Sequence, residues 1–157
     1  MKTLWRTVIA TITVSILMAC SSKPEPAETA MPDFTLVLNH HQMMDWVLDP
    51  AAEIIWDSAG TVITAEGERE LAPTTDEGWE HVVSGAATLA EASNLLMLPG
   101  RSMGEDWNAY SKALMATSIT ALEAAKAKDS DALFDAGGEI YQACLACHQQ
   151  YALDVPE

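Results

Sequence analysis

Prolines and glycines cut the chain beyond Pro32 into four helix-length runs, and this punctuation limits the fold more than any other feature of the sequence. The first run, FTLVLNHHQMMDWVLDPAAEIIWDSAG, follows Pro32, takes Asp33 as its expected N-cap and ends near Gly60. Pro50 lies inside it, which predicts a kink or a restart, with Asp49 as a fresh N-cap and Pro50 at the first helical position. The second run follows Pro73, where Thr74 and Glu77 have capping-box spacing, and continues to Met97. LPGRSMG separates it from a third run, Glu105 to Lys128, and a fourth opens at Asp129 or Ser130 and reaches the end of the chain. No stretch alternates with period two; TVITAEG is expected to form at most a short extended turn. Four helices of roughly 20 residues with short links predict an all-α domain, an antiparallel four-helix bundle. Residues 33–157 have the length of one ordinary domain, and a chain that is 49% hydrophobic can supply its core.

The N-terminus has a different purpose. MKTLWRTVIATITVSILMAC begins with Lys2 and Arg6 and then carries no charge from Thr7 to Cys20, the pattern of a secretory leader. It is shorter than the ~20 apolar residues of a membrane span, and Thr11, Thr13 and Ser15 dilute it. Leu17-Met18-Ala19-Cys20 resembles the lipobox of bacterial lipoproteins. That resemblance implies a signal peptide over 1–19, cleavage before Cys20, and acylation of Cys20 at its sulfur and new amino terminus. Residues 20–32 then form a lipidated start and a polar, proline-rich tether. Ser21 beside the acylated cysteine, by analogy with enteric lipoproteins, implies the periplasmic side of the outer membrane rather than the inner. The competing reading is an ordinary signal peptide that happens to end in cysteine.

Charge narrows the partners. The whole chain has 8 Lys+Arg against 23 Asp+Glu, net −15. Loss of Lys2 and Arg6 with the leader leaves 6 basic against 23 acidic side chains, net −17. Such a surface repels nucleic-acid phosphates and anionic lipid head groups. It favours a basic docking partner, and it serves equally to keep the domain in solution.

Cys144 and Cys147, in GEIYQACLACHQQY, are the only cysteines outside the leader. They could be a redox pair, a metal clamp or a haem attachment point. Export to an oxidising compartment weighs against a free dithiol. Zinc needs four ligands, and no second CxxC is present. A thioredoxin-like motif needs a βαβ setting, and no strands alternate with helices here. His148 completes CxxCH, the c-type haem attachment signature, in which two thiols bond the haem and the adjacent imidazole takes the iron. On a helix, Cys144 and Cys147 lie about 60° apart and His148 about 40° from Cys144, so one macrocycle can meet all three. Gly137, seven residues before Cys144, shares that face and would admit either the haem or another helix. The expected cofactor is one covalent haem c.

A four-helix bundle with a single CxxCH on its last helix resembles the class II c-type cytochromes, the cytochrome c prime family, over about Asp33 to Tyr151. In that family the sixth-ligand position comes from the first helix, and an arginine one turn earlier meets a haem propionate. The resemblance implies Met44 as the counterpart of the first and His40 of the second. His40 departs from the usual arginine, and CHQQYALDVPE lacks the basic residue that commonly follows the motif; Tyr151 stands where an aromatic is often found. Many members pair, so a homodimer is one expected assembly.

The stretch NHHQMMDW offers His40, His41, Met43 and Met44 as iron ligands. Residues 40, 44, 47, 48, 51 and 55 form one helical stripe, which turns Met44 inward with His40 one turn away. Met43 lies about 100° round the helix and is also partly inward, whereas His41 falls on the polar side with Asp45. A thioether is a soft, neutral ligand that is cheap to bury, and it is equally the common filler of core gaps. Trp46, Trp56, Trp79 and Trp107 are expected to pack the core rather than to conduct electrons. Arg101 in its loop and His81 on the second helix are expected to face water. No nucleophile–base pair, phosphate loop or acid pair stands out, so no enzymatic turnover is expected.

Three functions fit these residues. A membrane-anchored electron carrier in the cell envelope, serving a basic or membrane-bound redox partner, is favoured by a filled, low-spin iron. A five-coordinate module binding nitric oxide or carbon monoxide is favoured by an open sixth position. The third is the haem subunit of a larger oxidoreductase.

Overall fold

The computed structural model describes residues 33–151. The leader, Cys20 and the tether lie outside the described residues, as do residues 152–157. The chain is mostly helical: α1 (His40–Met43), a π-helical turn (Met44–Leu48), α2 (Asp49–Trp56), a hairpin of β1 (Thr61–Thr64) and β2 (Gly67–Glu70), then α3 (Asp76–Leu95), α4 (Glu105–Ala127) and α5 (Ser130–Tyr151). No helix among the described residues is long and apolar enough to cross a membrane.

The first helical run starts later than the Pro32–Asp33 boundary predicts. Asn39 is the N-cap: its side chain accepts from the Gln42 N–H at 2.8 Å, and Gln42 Oε1 accepts from the Asn39 N–H at 3.2 Å, closing a capping box. An α-helix does restart at Pro50, which sits in the first turn of α2, but Leu48 rather than Asp49 holds the N-cap position and no side chain caps it. The chain widens before it, with the Asp49 N–H donating to the Met44 carbonyl five residues back. Proline has no N–H to give, and its ring would press on the carbonyl four residues earlier; a π turn relieves both conflicts.

That wider turn changes which residues face inward. Met43 is 1% exposed, and the buried line runs on through Leu48, Ala51, Ala52 and Ile55. The step from Met43 to Leu48 is five residues rather than four, so Met43 takes the core position and Met44 moves to its edge.

Two other boundaries differ from expectation. The cap of α3 is Thr75, whose hydroxyl accepts from the Gly78 N–H at 3.1 Å, not Thr74 with Glu77. A Cβ on Gly78 would lie 2.8 Å from Pro73 Cβ, so the residue at this third helical position is held small by the proline that precedes the helix. TVITAEG becomes the first strand and turn of a two-stranded antiparallel hairpin, paired from Thr61↔Glu70 to Thr64↔Gly67 and exposed throughout. Asp129 caps α5 by accepting from the Ala132 N–H at 3.0 Å.

Helix α3 packs on α4, α4 on α5, and α2 contacts both α3 and α5. An ion pair of 2.6 Å between Lys128 and Asp76 ties the end of α4 to the start of α3. Glycines let α2 come close on both sides. A Cβ on Gly85 of α3 would lie 2.8 Å from Ile54 Cγ2 and 3.1 Å from the Ala51 carbonyl oxygen. One on Gly137 of α5 would lie 3.3 Å from Trp56 Cδ1, and the Trp56 indole N–H donates to the Gly137 carbonyl at 2.9 Å. The small residue at 137 therefore admits a neighbouring helix. Trp79 and Trp107 are buried as expected and Trp56 partly so, but Trp46 is 63% exposed. His81 faces solvent.

Gly85→Ala should lower stability by about 1–2 kcal/mol, because overpacking against Ile54 outweighs the gain in helix propensity. Gly138→Ala, where a Cβ meets nothing within 4 Å, should instead raise it by roughly 0.5–1 kcal/mol. Thermal unfolding of the two variants checks the contrast; equal shifts would contradict the seating of α2 on α3.

Candidate functional site

The last helix runs without interruption to Tyr151, so Cys144, Cys147 and His148 keep the helical spacing that places them on one side of α5. They open onto a cavity of about 610 Å³, within the range of about 300–1,000 Å³ typical of cofactor sites. Its floor is apolar, built by Leu48 and Ala52 of the first helical run, Leu89 and Leu96 at the end of α3, and Leu114 of α4. Asp45, Asp49, Tyr110 and Ser111 add polar groups to its lining, and Trp56, Tyr141 and Leu145 add further aromatic and apolar surface. Met44 lines the same cavity, brought there by the π turn, and so faces the space onto which the two thiols open.

The other candidates of NHHQMMDW do not reach it. Met43 is fully buried in the core. His41 is exposed and its Nδ1 lies 2.8 Å from Asp45 Oδ2. His40 does not line the cavity either. Its Nε2 donates to the Arg101 carbonyl at 2.7 Å, and its ring stands edge-on to Trp107 with centroids 5.2 Å apart. It borders a separate, smaller cavity with Arg101 and Gly100. Arg101 is not the solvated loop residue expected: it is 5% exposed, and its guanidinium donates to the Leu95 carbonyl at 3.2 Å and the Leu38 carbonyl at 3.0 Å. There it offsets the negative end of α3 and pins the segment leading into α1.

The two cysteines are free. Burial, then the neighbouring Cys147 and the Asp49 carboxylate, push the Cys144 thiol up to about 11. Burial raises Cys147 as well. Redox-active dithiols have the opposite character, with pKa lowered by cationic neighbours or helix N-termini. Here both thiols stay protonated near neutrality, at the end of a helix rather than its start. Among the described residues no three His, Cys, Asp or Glu side chains cluster closely enough to hold a metal ion, so a four-ligand zinc site is not assembled.

The chain matches no protein-family model, no curated protein and no solved structure. The case for a cofactor therefore rests on these residues. They fit a haem: an apolar cavity of cofactor size, two neutral thiols and an imidazole at its wall, and a thioether facing the same space. Sequence reasoning missed Tyr110, Ser111, Tyr141 and Trp56 as lining residues, because they come from three separate helices and none carries a spacing signal.

In apoprotein, Cys144 should hold about a hundredfold less thiolate at pH 8 than a thiol titrating at 9.0, and iodoacetamide should modify it correspondingly slowly. The rate should keep rising to about pH 11, and Asp49→Asn should move that rise to lower pH. Peptide mass mapping of the alkylated sites reads both. Rapid modification of Cys144 near neutrality would reveal a redox thiol instead.

Proposed function

We propose that the protein is a mono-haem c-type cytochrome of the class II kind, an antiparallel four-helix bundle that carries its haem on the last helix and acts as a membrane-anchored electron carrier in the cell envelope. The observation that carries this reading is the convergence of Cys144, Cys147, His148 and Met44 on one apolar cavity. The ring of packing α2–α3–α4–α5, closed by α2 against α5, supports the bundle.

In this reading Cys144 and Cys147 would hold haem c through two thioether bonds, and His148 and Met44 would be the ligands offered to its iron. The haem, once held, provides a one-electron couple whose potential His/Met ligation raises. The chain's own residues do the rest. Leu48, Leu89, Leu96 and Leu114 exclude water from the floor of the cavity, which controls dielectric and hence potential. Met44 adds a ligand without adding charge, so it costs little to hold in apolar surroundings. No substrate-turnover role is assigned to any residue. Acylation at Cys20 places the domain on the periplasmic face of the membrane, the outer one by the Ser21 analogy, near a basic or membrane-bound redox partner.

The oxidised holoprotein should show the weak sulfur-to-iron band near the red end of the visible spectrum, and Met44→Ala should abolish it. Met43→Ala should keep the band but cost about 2–5 kcal/mol of stability, as expected for truncating a buried side chain. An unchanged Met44→Ala spectrum, with ready carbon monoxide binding by the wild type, would favour the five-coordinate gas-binding module.

Full-length protein should partition with membranes, and Cys20→Ala should accumulate as the unprocessed precursor; wild type found free in the periplasm would contradict the anchor.

A further inference from the structure

The π turn and α2 present a second set of residues toward solvent. Asp45, Asp49, Glu53 and Asp57 follow one another at four-residue intervals and are all exposed. Residues four apart share an α-helical face, so Asp49, Glu53 and Asp57 form one row, which Asp45 of the widened turn extends toward the cavity. Asp45 and Asp49 also line the cavity, so the row runs from its edge along the helix. Beside it stands Trp46, 63% exposed, and on the α5 side of the same cavity Tyr141 and Leu145 are 54% and 37% exposed. A large indole in water needs a reason, and here it directly follows Asp45, which lines the proposed cofactor site.

The charges select the occupant. No Lys or Arg occurs from Asp33 to Glu68, nor anywhere in α3. Among the described residues the only ionic partner of the row is His41, against Asp45. Like charges four residues apart on a helix repel and destabilise it, so the row works against the fold it sits on. An anionic lipid surface would be repelled, which rules it out as the cover for Trp46.

We infer that the exposed mouth formed by Tyr141 and Leu145, flanked by the Asp45–Asp49–Glu53–Asp57 row and the exposed Trp46 beside it, is the docking surface for a redox protein with a lysine- or arginine-rich face. The inference rests on the electron-carrier reading for its purpose but not for its geometry. The acidic row steers the partner, and the indole supplies the central contact of the kind that dominates interface energies. Docking there sets the partner over the opening of the cavity.

The test uses holoprotein and a soluble basic redox protein of pI above 9, with association followed by stopped flow at several ionic strengths. Glu53→Gln with Asp57→Asn should slow association roughly tenfold at low salt and flatten its salt dependence. Asp131→Asn with Glu139→Gln on α5 removes the same net charge and should change it less than about twofold. The first pair should also raise the melting temperature, since it relieves repulsion within the row. Trp46→Ala should speed dissociation and leave the low-salt association rate nearly unchanged. Equal slowing by the two charge pairs would show that net charge alone matters and would overturn the docking surface, as would no slowing by the first. Site-dependent binding without electron exchange would uphold the surface while removing the electron-carrier reading.

Discussion

The close seating of α2 between α3 and α5 governs the rest of the molecule. Gly85 lets Ile54 and the Ala51 carbonyl approach the α3 backbone, and Gly137 lets Trp56 lie against α5 and bond its carbonyl. A helix with a full set of side chains at these two points would hold α2 farther out. Because α2 is clamped there, Leu48 and Ala52 become part of a wall that looks onto the thiols of α5. The cavity is a consequence of this packing, since its floor comes from three separate helical runs that meet only when α2 is in place.

The π turn is the second constraint, and it follows from a single residue. Pro50 cannot donate a backbone hydrogen bond, and the widened turn before it moves the buried position from Met44 to Met43. Met44 is thereby released to line the cavity. An α-helical wheel drawn through Pro50 assigns the same residue to the core. In both readings Met44 points inward, but toward different surroundings: the wheel packs it among Val47, Leu48 and Ala51, while the structure turns it to a cavity shared with Cys144 and Cys147.

Legibility of the sequence followed the range of the interactions. The helical runs from Asp76, Glu105 and Ser130 were readable because capping, punctuation and apolar spacing are local signals. The grouping of Cys144, Cys147 and His148 on α5 was readable for the same reason, since no irregularity interrupts that helix. The start at Asn39 was missed although its capping partner Gln42 sits three residues on; the proline before Asp33 was the more conspicuous mark. The place of Arg101 was not readable. Its partners are backbone carbonyls of Leu38 and Leu95, and carbonyls leave no trace in a residue pattern. The hydrogen bond of His40 is hidden in the same way, because its acceptor is the Arg101 carbonyl, 61 residues away. Trp46 reads as core by its residue type, yet it lies about 200° round the helix from Met44, opposite the buried stripe, and it is exposed.

Thiol chemistry links the packing to the proposed role. Burial that raises Cys144 and Cys147 suppresses thiolate reactivity and so disfavours disulfide exchange, while a covalent cofactor held by the same sulfurs would remove them from redox chemistry altogether. The most direct test is the intact mass of the protein produced in a host competent for cytochrome maturation, taken after acid–acetone extraction. The account predicts that the mass exceeds the apoprotein by one haem, that the pigment stays with the polypeptide, and that replacing both Cys144 and Cys147 by alanine releases it. An unmodified apoprotein mass from wild type would contradict it.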